Sequence, residues 1–129
     1  MIDYEQLHHV SLNVKNLTIA KNFYEKVLCM RVMDRPPLQS KGAWFQVGNS
    51  GQQLHLIEHP GQTLREAGMD SSDGHFAVRV SNYQGTINWL TQCGILYDAR
   101  PMSATGFPQI YILDPDNNII EFNTLPLKI

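Results

Sequence analysis

From Leu7 to Val14 apolar and polar residues alternate. Val10, Leu12 and Val14 fall with His8 on one side of an extended strand, and Leu7, His9, Ser11 and Asn13 on the other. The apolar trio marks the packed side, so His9 and not His8 belongs to the polar side. Asn16 then suits an N-cap, and Leu17, Ala20, Phe23, Tyr24, Val27 and Leu28 keep the rhythm of an amphipathic helix ending near Cys29. A short strand is expected over Met30–Asp34, closed by Pro36 and Pro37. Ala43–Val47 and Gln53–Ile57 read as a hairpin about Gly48, Asn49, Ser50 and Gly51, with His55 pointing away from Leu54 and Leu56.

The polar stretch His59–Asp73 reads as a connector, with a helical turn at Thr63–Ala67. The same plan then recurs. Phe76, Val78 and Val80 take the packed side of a strand, leaving His75, Ala77 and Arg79 on the other. Asn82 caps a helix stopped by Gly94, a strand is expected over Ile95–Ala99, and Pro108–Leu113 and Ile119–Thr124 make a hairpin about DPDNN. Each half reads strand, helix, strand, strand, strand.

The halves are related by an offset of 66. His9 maps to His75 and His55 to Glu121, while Asn16 maps to Asn82, Phe23 to Trp89, Tyr24 to Leu90 and Phe45 to Tyr111. Such a set in register marks an internal duplication, with repeats at about 5–58 and 73–125 inside a single domain of 129 residues. A half of about 64 residues would be marginal alone, so the repeats are expected to pack together or to exchange between subunits.

A net charge of −2 makes no case for nucleic acid or an anionic membrane, and no apolar run reaches the roughly 20 residues of a membrane span. MIDYEQ lacks the basic start and apolar run of a signal peptide, and Cys29 and Cys93 read as free thiols, so a cytoplasmic protein acting on a small molecule is expected.

Helices covering one face of a mixed sheet leave the other concave, and by parity His9, His55, His75 and Glu121 share that other face. A lone histidine on a strand is usually structural. Four donors at equivalent places argue instead for one divalent transition ion, Zn, Ni, Co, Fe or Mn, since Ca and Mg prefer all-oxygen shells. Glu121, loosely held, could act as general base. Tyr111 could donate to a substrate. For Phe45, cross-strand packing is the simpler role and lining the substrate the alternative. Trp44, Arg79, Arg100, Met102 and Phe107 are further pocket candidates.

HHVSLNVKNLTIAKNFYEKVLCM, GHFAVRV and YILDPDNNIIEF resemble the vicinal oxygen chelate superfamily, the glyoxalase, bleomycin resistance and dioxygenase group. The resemblance covers nearly the whole chain. It implies an α+β fold in which two βαβββ modules form an eight-stranded mixed cup-shaped sheet with helices outside, commonly in a homodimer. It also places the family's metal positions on His9, His55, His75 and Glu121. The activity it implies is that of a metal-dependent glyoxalase-like lyase or isomerase acting on vicinal oxygens. An Fe(II) extradiol-type dioxygenase and a non-catalytic drug-binding protein are the alternatives. Small glyoxalase I enzymes usually carry Glu or Gln where this chain has His55, a departure at the very position that binds the ion.

Overall fold

The computed structural model describes residues 1–59, 65 and 68–126. Two compact units, Met1–Leu64 and Arg65–Ile129, divide the chain. Each has an α+β plan with one four-stranded mixed sheet. The helical turn expected over Thr63–Ala67 lies, except for Arg65, outside the described residues.

In the first unit the elements are β1 (His9–Val14), α1 (Leu17–Asn22), β2 (Arg31–Met33), β3 (Gly42–Val47) and β4 (Gln52–Glu58). The strand order is β1-β4-β3-β2, with β1 parallel to β4 and the other neighbours antiparallel. Asn16 caps α1 as expected, its Oδ1 accepting from the Ile19 N–H at 3.0 Å. The Leu17 N–H, another orphan of the first turn, donates to Glu58 Oε2 at 2.9 Å. The expected single helix instead changes character at Phe23 and runs to Val27 as a π-helical turn, where the Leu28 N–H donates to the Phe23 carbonyl at 3.0 Å. Cys29 then takes the left-handed conformation that ends the helix, at φ 57°. Val14, Ala20, Phe23, Tyr24, Ala43, Phe45, Leu54 and Leu56 are buried and form this unit's core.

The second unit repeats the plan with β5 (Phe76–Arg79), α2 (Tyr83–Gln92), β6 (Asp98–Arg100), β7 (Gln109–Leu113) and β8 (Ile119–Asn123), in the order β5-β8-β7-β6. Asn82 caps α2 through Gly85, and Gly94 ends it at φ 72°. The strand expected over Ile95–Ala99 forms later, at Asp98–Arg100. The residues just after the helix continue its termination, the Ile95 N–H donating to the Leu90 carbonyl at 2.9 Å. Leu90, Ile110, Ile112, Ile120 and Phe122 are buried. Trp89, matched to buried Phe23 by the offset, is instead 40 % exposed.

The duplication is exact in register only along the parallel pairs. Ser11 faces His55 in one sheet and Ala77 faces Glu121 in the other, preserving the offset of 66. The antiparallel hairpins differ by one residue. Val47 pairs with Gln52 across a four-residue turn, whereas Leu113 pairs with Ile119 across five. Tyr111 faces Glu121, and Trp44 rather than Phe45 faces His55. The gap-free match of Phe45 with Tyr111 is corrected accordingly.

Candidate functional site

In the first unit, His9 opens β1 and His55 lies on the adjacent β4, both on the face away from Leu54 and Leu56. Their rings stack at 4.2 Å between centroids, 15° from parallel. Trp44, from the cross-strand position, covers the other side of the His55 ring at 4.1 Å. His55 Nε2 donates to Gln53 Oε1 at 2.8 Å. Burial first, and then the nearness of His9, His8 and Arg35, push the His55 pKa below its ordinary value. Such an imidazole stays neutral, the form in which histidine binds a metal.

In the second unit, Glu121 is buried on β8 with its two oxygens in different company. Oε1 lies 3.1 Å from His75 Nε2 and accepts from the Tyr111 hydroxyl at 3.0 Å. Oε2 accepts from Asn123 Nδ2 at 2.8 Å, and Asn123 Oδ1 in turn accepts from Arg79 Nε at 2.6 Å. Burial alone would raise the Glu121 carboxyl, but hydrogen bonds from Asn123, His75, Tyr111 and Gln109 outweigh it and hold the group below its ordinary value. Tyr111 moves the opposite way, raised first by burial and then by its bond to Glu121.

The donor chemistry can be tested against a metal. His75 Nδ1 donates to the Asp73 carbonyl at 2.7 Å, which turns Nε2 towards Glu121 Oε1 at 3.1 Å. A ring nitrogen and a carboxylate oxygen at that distance need a proton or a cation between them. A histidine tied through its far nitrogen to a backbone carbonyl is also how metal-binding imidazoles are oriented. Imidazole nitrogen and carboxylate oxygen are donor types that suit a divalent transition ion. The four residues occur as two pairs, one in each unit. Among the described residues no group of three or more His, Cys, Asp or Glu side chains that could hold a metal ion is present.

The other expected residues separate. Phe45 is fully buried among the first unit's core side chains, 6.0 Å from Tyr24 between ring centroids, so the substrate-lining role considered for it is corrected to packing. Arg79 braces Asn123, and its guanidinium lies 5.9 Å from the Phe107 ring centroid. Sequence reasoning passed over Trp44 as a partner of His55, and over Gln109 and Asn123 as partners of Glu121. Asn123 stands two residues beyond Glu121 on the same strand face, a signal that period-two parity could have supplied. His8, set aside as a surface residue, lies with Nδ1 2.8 Å from His9 Nδ1.

The family model described as Glyoxalase/Bleomycin resistance protein/Dioxygenase superfamily matches residues 6–122. Glyoxylase I 4 of Arabidopsis thaliana is 27 % identical over 118 residues, covering 89 % of this chain and 68 % of that protein. A glyoxalase family protein from Bacillus anthracis has a similar structure, with a TM-score of 0.77, 22 % identity, and coverage of 97 % of this chain and 99 % of that one. So does a mutant of a genomically encoded fosfomycin resistance protein from Listeria monocytogenes, solved with Mn(II) and 1S,2S-dihydroxypropylphosphonic acid. There the TM-score is 0.71 and the identity 19 %, covering 98 % of this chain and 95 % of that one. At these identities the structural likeness speaks for the fold alone.

Proposed function

The chain belongs to the Glyoxalase/Bleomycin resistance protein/Dioxygenase superfamily, and from that premise we propose that it is a metal-dependent glyoxalase-like lyase or isomerase of small molecules bearing vicinal oxygens. The observation that carries the reading is the division of labour on Glu121. Asn123 holds Oε2, while Oε1 meets His75 and the Tyr111 hydroxyl. A carboxylate kept ionised by such bonds can accept a proton without first losing one of its own.

His9, His55, His75 and Glu121 would hold the ion, one of Zn, Ni, Co, Fe or Mn. When bound, it supplies Lewis-acid polarisation of the substrate's two oxygens. Glu121 would take the proton from the carbon that bears the substrate's hydroxyl and return it to the adjacent carbonyl carbon, the hydroxyl proton passing to the other oxygen. Tyr111 keeps Oε1 oriented through its hydroxyl. The Listeria protein solved with Mn(II) supports the choice of a divalent ion. The homodimer common in the family is the assembly in which this reading places the chain.

Elemental analysis of the purified protein, beside His75→Ala, tests the metal. About one transition metal per chain, lost in the variant, is the expected result. Iron accompanied by oxygen uptake with catechols would move the assignment to a dioxygenase. No metal after reconstitution would leave a binding protein. Glu121→Gln is expected to lower turnover by about 10² to 10⁴ fold, and unchanged turnover would refute the base.

A further inference from the structure

Beside Tyr111 the second unit carries a cavity of about 560 Å³, lined among others by Ser71, Arg100, Met102, Ser103 and Gln109. An arginine in a pocket next to a reacting carboxylate would ordinarily announce an anionic substrate. Here Asp98 and Ser71 take three of the guanidinium's five N–H groups. Nε and Nη2 both donate to Asp98 Oδ2, at 3.2 and 2.8 Å, and Nη1 donates to Ser71 Oγ at 2.9 Å. Its face lies over the Tyr111 ring, 4.9 Å from the centroid. Asp98 and Arg100 are the ends of the short β6, two residues apart on the same face, so the pairing is built into the strand.

The remaining polar groups are committed in the same way. Ser103 Oγ donates to Gln109 Oε1 at 2.5 Å, Gln109 bonds to Glu121, and the Tyr111 hydroxyl donates to Glu121. With Asp98 Oδ2 2.8 Å from Arg100 Nη2, an anion at Arg100 meets both charges, so the two fields largely cancel and nothing repays the hydration the anion gives up on entering. Met102, 92 % exposed, offers a mobile apolar contact at the cavity edge.

We infer that this cavity holds the body of an uncharged substrate, and that Asp98 sets that preference by neutralising Arg100. The inference deepens the reading above and rests on it for which end of the substrate reacts. A neutral α-hydroxy ketone or α-hydroxy aldehyde with an apolar substituent is the class selected, and its carboxylate counterparts are rejected.

Two probes of equal carbon count separate the classes, α-hydroxyacetophenone and mandelate. Each is titrated into the full-length protein labelled at the methionine methyl groups, and the Met102 methyl resonance is followed. In the unsubstituted protein the ketone should shift Met102 and bind on the order of tenfold more tightly than mandelate, the scale set by one partly exposed charge. Asp98→Asn should raise mandelate affinity by about that factor and leave the ketone within about twofold. Mandelate binding as tightly as the ketone to the unsubstituted protein overturns the inference, and needs no variant to do so. So does an unchanged preference in a folded Asp98→Asn protein, or a Met102 resonance that neither probe moves. The readout does not depend on turnover. A protein without metal that keeps the preference removes the lyase reading and leaves the pocket, and a metal-loaded protein without it does the reverse.

Discussion

Asn123 shows how much of Glu121's behaviour comes from a single amide. It contributes the first of the hydrogen bonds that lower the Glu121 carboxyl, and Arg79 fixes its orientation. A carboxyl whose folded pKa is depressed adds stability above its unfolded pKa and loses it as pH falls through the folded value. Asn123→Ala should therefore raise the Glu121 pKa, move the acid unfolding midpoint of the metal-free protein to higher pH, and cost about 1.5–3 kcal/mol at neutral pH. Urea unfolding across an acid pH series measures both. An unmoved midpoint would show that Asn123 does not set this carboxyl. Glu121 and His75 were legible as chemistry because a carboxylate and an imidazole on apolar strands demand partners. Which partner each oxygen takes was not, since that depends on side-chain rotamers, within β8 for Asn123 and across to Tyr111 and His75 for the other oxygen. Trp44 illustrates the gap. Its stacking on His55 follows from a turn one residue shorter than its counterpart, and no pattern of apolar residues reports that length.

At the scale of elements, the hairpin of β3 and β4 is tight where Gly42 sits. A Cβ added there would meet the Leu56 carbonyl oxygen and lie 2.9 Å from Arg35 Nη2. Backbone cannot yield as a flexible side chain does, so Gly42→Ala should destabilise the protein by about 1–3 kcal/mol, read from a denaturant midpoint. Helix α2 is anchored differently, through the Tyr83 hydroxyl, which donates to the Gln109 carbonyl at 3.2 Å. Burial, ahead of other causes, raises the Tyr83 pKa above its ordinary value. The folded state thus favours the protonated phenol, and this stability is whole below about pH 10 and lost as pH rises towards the folded value. Tyr83→Phe should cost about 1 kcal/mol at neutral pH and flatten that alkaline loss, as thermal melts on both sides of pH 10 would show. Caps at Asn16 and Asn82 and the stop at Gly94 were legible because their signals are local. The π-helical turn was not, since one extra residue hidden inside a helix leaves the apolar stripe almost unchanged.

For the whole molecule, the proposal that one ion is held by His9, His55, His75 and Glu121 is tested one residue at a time. His9→Ala and His75→Ala should therefore each empty the site, an outcome that elemental analysis of the two variants side by side would check. Full metal in His9→Ala would confine the site to the second unit. The sequence by itself determined the two-module α+β plan, the strand faces and the membership of His9, His55, His75 and Glu121 in equivalent places. Period-two and helical periodicities are properties of single segments, and a duplication leaves them in register. Only the tertiary structure decided which aromatic ring covers His55, which amide holds Glu121, that Phe45 is core and that Asp98 pairs with Arg100. Trp44 reaches His55 from a neighbouring strand whose register is set by turn length, and a shift of one residue turns a side chain to the opposite face, whereas Asn123 and Asp98 each meet a residue two places away on their own strand, where packing selects the rotamer.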